Sequence, residues 1–333
     1  MKYKILRRLK EAEPGYVSGG ELGKLLEVSR TAIWKYIAEL RQEGYMIEAS
    51  SRKGYRLLPS EQTLNSYEIA EGLDTAVIGR KVEYYDSVDS TNNLAKIRAA
   101  AGCDDGTAIV AGCQTAGRGR LGRGWESPPG KGIYISVVLR PDMAPAETQI
   151  LTLAAAVAAA DAIKASTGIE TGIKWPNDLV IEGRKVCGIL LEMSSEADSV
   201  NYLVLGIGIN FSHDRGDFSD ELKEKAVSLR MAASNIGLDK EKQFGKLSVI
   251  RAILYEMDRI YRLILDGGQE QVLERWRKQT VTLGRTVSFK LQGSDYSGTV
   301  VDITSDGKLS VECLDGVRRD LYSGEVSVSG MYY

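Results

Sequence analysis

The chain has 333 residues, 43% hydrophobic and 26% charged, with a formal net charge of −2, enough for two or three domains with ordinary cores. Its single histidine, His213, excludes two-histidine metal centres and H-E-x-x-H zinc sites, and its four scattered cysteines, without a C-x-x-C pair, argue against a thiolate zinc site or a disulfide framework. Chemistry must therefore rest on Lys, Arg, Asp, Asn and backbone groups. His213 lies in the polar segment "NFSHDRGDFSD" and is expected in a solvated loop.

No signal-peptide pattern opens the chain, and no run reaches the ~18 consecutive apolar residues of a membrane helix. The longest, "ILTLAAAVAAA", stops at Asp161 and reads as a buried helix, so a cytoplasmic protein without a membrane partner is expected. Residues 1–63 carry 12 Lys and Arg against 8 Asp and Glu, whereas the remainder carries 31 against 37. A basic first segment on an otherwise acidic chain points to a polyanionic partner.

Three helical patterns come first. Lys2 to Glu13 places Ile5, Leu6 and Leu9 on one face, a second helix starts near Gly19, and Ser29 is a good N-cap for "RTAIWKYIAELRQEGY", which stops at Gly44. The short link through Val28 has helix-turn-helix spacing. Ile33, Ile37 and Leu40 face the core, which leaves Arg30, Thr31, Trp34, Lys35 and Arg41 for other surfaces and for DNA. Two strand patterns follow, "YMIEA" and "YRLLP", joined by a turn that carries Arg52 and Lys53: a wing suited to phosphate contacts.

From Leu64 strands and helices alternate irregularly. "KVEYYDSV" is a strand, "STNNLAKIRAAAG" a helix capped by Ser90 or Thr91, "TAIVAGCQ" and "GIYISVVLRP" strands, and "TQILTLAAAVAAADAIKAS" a long helix. Then come "GIKW", "DLVI", "KVCGILLEMS" and "NYLVLGIGINF", strands joined by short connections. Such pairing is antiparallel, so an α+β fold with a mixed, mostly antiparallel sheet and helices on one face is expected.

Between the second and third of these strands lies "AGRGRLGRGW", residues 116–125. Gly117-x-Gly119-x-x-Gly122 matches a dinucleotide fingerprint by letter, but that loop must open a helix. Pro128, Pro129, Gly130 and Gly132 forbid one here, and Arg118, Arg120 and Arg123 occupy positions that a dinucleotide loop keeps small. What remains is a glycine-rich, arginine-studded loop able to fold over an anion. "KWPNDL", with Lys174, Asn177 and Asp178, the nearby Arg184 and Lys185, and "GIGIN", ending at Asn210, share this character. Together they read as one anion-binding, magnesium-compatible site.

"GRGRLGRGW", "KWPNDL", "RKVCGIL" and "GIGIN", in this order, resemble the biotin protein ligases, and the N-terminal helix-turn-helix resembles the bifunctional ligase and biotin operon repressor form. The resemblance covers about residues 1–325. It implies three domains: a winged helix-turn-helix over 1–63, a catalytic domain over 64–279, and an SH3-like β-barrel over 280–333, where short strands follow the helix "QEQVLERWRKQ". It implies ATP with magnesium as co-substrate, no metal cage made by protein alone, transfer of biotin to a lysine of the biotin carboxyl carrier protein of acetyl-CoA carboxylase or a similar carboxylase domain, and a homodimer on operator DNA with the adenylate as corepressor.

By the same resemblance, Ser90, Thr91, Asn92, Gln114 and the Arg118–Gly119 backbone take the ureido end of biotin. Arg120 and Lys185 face its carboxylate, with Gly188 beneath. Arg120 again, with Arg123, Trp125, Lys174, Asn177 and Asn210, belongs to the nucleotide half, and Asp178 is the partner of the incoming lysine. Leu121 and Cys187 depart from the family pattern, and no aromatic to close over adenine is evident near Val227. A lipoate or octanoyl transferase, the alternative of similar fold, is disfavoured by the arginine loop and K-W-P-N-D. A biotin sensor without ligase activity would not need Lys185.

Overall fold

The computed structural model describes residues 1–59, 63–196, 199–237, 244–322, 326–329 and 331. The chain forms two compact units, Met1–Glu71 and Gly72–Tyr333.

In the first unit, helices α1 (Lys2–Glu11), α2 (Gly19–Leu26) and α3 (Arg30–Gln42) precede a hairpin of β1 (Ile47–Ser50) and β2 (Gly54–Leu57). Serine hydroxyls cap α2 and α3: Glu21 N–H donates to Ser18 and Ala32 N–H to Ser29. Ile5, Leu6, Leu9, Ile33, Ile37 and Leu40 form the core, as their spacing predicts. Helix α1 stops short of Glu13, because Pro14 disfavours the helical region for the residue before it. The unit also runs past residue 63. Helix α4 (Ser66–Ala70) is held by Lys10 Nζ, which donates to Glu68 and Glu71 at 2.8 and 2.6 Å, and by Tyr67 stacked on Tyr3 with ring centroids 4.0 Å apart.

The second unit is built on a seven-stranded sheet in the order β3-β4-β5-β9-β8-β7-β6. Its strands are β3 (Val82–Tyr85), β4 (Ala108–Ala111), β5 (Gly132–Leu139), β6 (Gly172–Lys174), β7 (Asp178–Ile181), β8 (Arg184–Glu196) and β9 (Ser199–Asn210). Only the β3–β4 pair is parallel, in agreement with the mixed, mostly antiparallel sheet expected. Helix α5 (Thr91–Ala100) lays Ala95 and Ala99 on Ile109, Val138 and Val204. The apolar α6 (Gln149–Thr167) is largely buried and packs on β6, β7, β8 and on α8 (Lys246–Leu265). The expectation of helices on one face is corrected here. All eight residues of β5 are buried, and because successive side chains alternate, both faces of the sheet are covered.

Helix α8 was not among the expected elements, although Leu247, Ile250, Leu254, Met257, Tyr261 and Ile264 carry a helical period. The short α7 (Leu229–Asn235) precedes it, and α9 (Gln269–Gln279) leads into the C-terminal strands. These are β10 (Thr286–Leu291), β11 (Ser294–Ile303), β12 (Leu309–Cys313), β13 (Arg318–Leu321) and β14 (Ser327–Val328), an antiparallel sheet in the order 13-12-11-10-14. Trp175 ties this sheet to the site. Its backbone N–H donates to Thr282 Oγ1 at 3.1 Å and its indole N–H to the Gly307 carbonyl at 3.2 Å.

Candidate active site

A cleft of about 450 Å³ opens on the face of the sheet that carries α5. Every residue assigned above to catalysis, biotin or nucleotide lines it: the Ser90–Asn92 corner, Gln114, the loop from Arg118 through Trp125, Lys174, Asn177, Asp178, Lys185, Gly188 and Asn210. Residues more than a hundred positions apart thus converge on one chamber.

Its closed end is a hydrogen-bonded corner. Thr91, on the first turn of α5, donates its backbone N–H to Gln114 Oε1 at 2.9 Å, with its hydroxyl 3.1 Å from the same oxygen, and Gln114 Nε2 donates to Ser127 Oγ at 3.0 Å. Ser136 Oγ on β5, fully buried, lies 2.7 Å from Thr91 Oγ1 and 2.6 Å from Asn92 Oδ1. Sequence reasoning missed Ser136, because an inward serine inside a run of apolar residues carries no local signal.

The floor is made of glycines. A Cβ at Gly188 would lie 2.9 Å from the Trp125 ring, and one at Gly208, opposite it on β9, would lie 2.7 Å away. Their bareness lets the indole lie on the sheet. The Lys185 ammonium stands 5.5 Å from the centroid of that ring, within cation–π range. Lys185 Nζ also forms a 2.6 Å ion pair with Asp178 Oδ1 on the neighbouring strand. Its main chain is fixed by the segment after β9: Lys185 N–H donates to the Lys225 carbonyl (2.8 Å), Val227 N–H to the Lys185 carbonyl (3.0 Å), and Asn210 Nδ2 to the same carbonyl (3.3 Å).

The arginine loop is a folded hairpin. Gly119 N–H donates to the Arg123 carbonyl at 2.7 Å and Trp125 N–H to the Gly117 carbonyl at 3.0 Å. Only a three-residue 3-10 turn, Arg120–Gly122, occurs in it, so no helix follows the glycine pattern. Arg118 and Arg120 anchor its two sides. Arg118 donates to Asn93 Oδ1 (3.1 Å), and Arg120 donates to Asn177 Oδ1 (3.0 Å), whose amide in turn donates to the Ile189 carbonyl (2.8 Å). Leu121 projects at the tip, 73% exposed and with φ +56°.

His213 is not solvated. It is 1% exposed and stacks on Phe218 with ring centroids 4.9 Å apart. The polar side chains around it turn outward, with Lys131 pairing Asp214 and Asp217, and the imidazole is folded inward. Burial pulls its pKa down to about 4. Phe218 itself lines the cleft. It is an aromatic of the cleft wall with no signal in the sequence around Val227. Val326 and Ser327 of the C-terminal sheet line the same chamber.

In the first unit Arg30, Thr31, Trp34 and Lys35 are exposed on α3, with Trp34 at 64%, and Arg52 and Lys53 are exposed at the hairpin tip. Arg41, also exposed, donates to the Ile47 carbonyl from Nε (2.9 Å) and Nη2 (2.6 Å) and so pins α3 to the wing.

The sheet with its cleft belongs to a defined class: residues 84–210 match the biotin/lipoate A/B protein ligase family, residues 2–56 a helix-turn-helix domain family, and residues 282–329 the biotin protein ligase C-terminal domain family. The chain is 38% identical over 324 residues to the bifunctional ligase/repressor BirA of Bacillus subtilis, covering 97% of each, and 31% identical over 314 residues to BirA of Escherichia coli, covering 93% of this chain and 92% of that one. Among solved structures, the biotin protein ligase of Aquifex aeolicus in complex with biotin and ATP superposes with a TM-score of 0.62 at 26% identity, over 75% of this chain and 98% of that one. The chain belongs to the bifunctional biotin ligase/repressor family.

Proposed function

We infer that the protein is an ATP-dependent biotin protein ligase and a DNA-binding repressor. The observation that carries this reading is the convergence of the Ser90–Asn92 corner, the arginine loop, Lys185 and Asn210 on one cleft, in a chain that matches BirA over nearly its whole length.

In the first step a carboxylate oxygen of biotin attacks the α-phosphorus of ATP, forming biotinyl-5′-adenylate and releasing pyrophosphate. Two anions must meet, and Arg120 and Lys185 are the fixed cations that offset their repulsion and the charge of the transition state. The Ser90, Thr91, Asn92 and Gln114 corner takes the ureido ring, with Ser136 behind it holding Thr91 and Asn92. Arg118 and Gly119 close over it, and Gly188 lets the ligand approach the sheet. Arg123, Trp125, Lys174, Asn177 and Asn210 border the nucleotide. Magnesium, bound to the triphosphate oxygens, would supply charge neutralisation there.

In the second step the ε-amine of a carrier lysine attacks the acyl carbon and AMP leaves. A free lysine amine has a pKa of about 10.4 and arrives protonated. Asp178 accepts that proton once Lys185, with which it pairs at 2.6 Å, turns to the bound anion; the ion pair supports this reading by putting the carboxylate on the cleft wall. The acceptor is the biotin carboxyl carrier protein of acetyl-CoA carboxylase, or another biotin-accepting carboxylase domain. The protein works in the cytoplasm as a homodimer on operator DNA, with the adenylate as corepressor. A symmetric dimer matches helix-turn-helix readout of two half-sites.

Intact-mass analysis after mixing with biotin, Mg-ATP and a carrier domain tests the reading. A carrier heavier by one biotinyl group is expected, and an unchanged carrier beside a biotin-binding protein would leave only a sensor.

A further inference from the structure

Glu192, on β8, lies beyond the residues so far assigned a role, yet it joins three of the elements that enclose the closed end of the cleft. Its Oε2 accepts from Asn92 Nδ2 at 2.8 Å and its Oε1 from Lys96 Nζ at 2.6 Å, one turn further along α5. Arg118 of the loop stands 3.9 Å from the same Oε1. Glu192 also walls a hollow of about 350 Å³ beneath the arginine loop.

The chemistry of these contacts is directional. An ionised carboxylate only accepts, so Asn92 must turn its NH₂ toward Glu192 and its carbonyl oxygen toward Ser136. Bare Gly206 on β9 makes room for this amide, since a Cβ there would stand 2.1 Å from Asn92 Oδ1. The buried Ser136 hydroxyl, 2.6 Å from Asn92 Oδ1, then donates to it, which fixes that amide oxygen as an acceptor on the cleft wall. A cyclic urea offers two N–H donors, and acceptors of fixed orientation are what those donors require. Burial pushes the Glu192 carboxyl up, but hydrogen bonds from Lys96 and Asn92 outweigh it and hold the group below its ordinary range, so the anion persists at neutral pH.

We propose that Glu192 is a positioning residue: it sets the hydrogen-bond polarity of the ureido corner through Asn92 and, through Arg118, couples that corner to the loop that covers the adenylate. This rests on the ligase reading and extends it to a residue that touches neither substrate.

Glu192→Ala and Glu192→Gln are compared with the natural protein in steady-state kinetics, in escape of preformed biotinyl-adenylate, and in thermal melting. For Glu192→Ala, biotin KM is expected to rise about tenfold, the equivalent of one hydrogen bond, by more than any fall in kcat, while ATP KM holds and adenylate escapes faster. Glu192→Gln keeps an oxygen for Asn92 but no charge for Arg118, so it should recover most of the biotin KM and little of the adenylate retention. A parallel rise in both KM values that follows a lowered Tm, or unchanged biotin KM and escape in Glu192→Gln, would overturn the proposal; if Glu192→Ala does not fold, Glu192→Gln decides alone. Failure of the natural protein to form adenylate in the same assay would instead remove the ligase reading itself.

Discussion

Lys185 Nζ and Asp178 Oδ1 stand 2.6 Å apart across β7 and β8. On the proposed ligase reading the ammonium, with Arg120, serves the first step and the carboxylate the second. Lys185→Ala should therefore lower the rate of adenylate formation by two orders of magnitude or more, the scale seen when a transition-state donor is removed from a protected site. Asp178→Asn should spare adenylation and slow transfer to the carrier. Rapid-quench measurement of the two steps separates these effects, and equal losses in both steps for Asp178→Asn would count against its role as proton acceptor.

Arg120 bridges the loop to Asn177 at 3.0 Å. Arg120→Gly should still make biotinyl-adenylate but release it, so that lysines of bystander proteins become biotinylated. Labelling of a mixture of unrelated proteins reads this out, and tight retention in the variant would show that the loop does not act as a lid.

Asp258, buried on α8, accepts backbone N–H groups from Ala76, Val77 and Ile78 at 3.1, 2.7 and 2.8 Å, and Arg262 at 2.9 Å. It fastens the segment before β3 to the helix layer. Asp258→Ala orphans these donors and should cost roughly 3 kcal/mol in a urea melt. A loss under about 1 kcal/mol would mean that water replaces the carboxylate at once.

His213 has a folded pKa of about 4 against an ordinary 6.5, because burial disfavours its charged form. The unfolded chain binds the proton first as pH falls, so stability is full above about pH 6.5 and is lost between 6.5 and 4, by roughly 3 kcal/mol at most. The groups nearest to it are Asp217, Lys131, Lys246 and Glu126. His213→Gln should flatten the pH dependence of urea midpoints in that window, and an unaltered slope would place the acid sensitivity elsewhere.

On α3, Lys35→Ala is expected to weaken operator binding at every sequence and to lower the salt dependence by about one counterion. Trp34→Ala, at a 64% exposed position, should leave Tm nearly unchanged. Gel-shift titrations over a salt series distinguish the two classes of contact. The same titrations with and without adenylate test corepression, for which adenylate should tighten binding well beyond biotin alone.

Much of this was legible in the sequence because local rules agreed with the fold. Ser29 caps α3, Ile33, Ile37 and Leu40 face inward, and the prolines after Trp125 keep the loop from opening a helix. The cleft was legible because its cations and glycines cluster in short motifs. His213 was not. Its segment is polar, yet Asp214 and Asp217 pair with Lys131 while the imidazole stacks on Phe218 in the interior. Ser136 and Glu192 escaped for a related reason: each is a single polar residue in a strand, and its meaning lies in partners on α5 that sequence spacing does not reveal. Helix α8 carries a plain apolar period and was open to the same reading as α3.

The central claim is that one cleft makes biotinyl-adenylate and keeps it until a lysine arrives. The natural protein, mixed with biotin and α-labelled Mg-ATP in the absence of carrier and passed through a desalting column, should elute with close to one label per active site. Addition of the carrier domain should then release the label as AMP while the carrier gains biotin. Label that fails to co-elute, or that leaves at the same rate without carrier, would contradict the account.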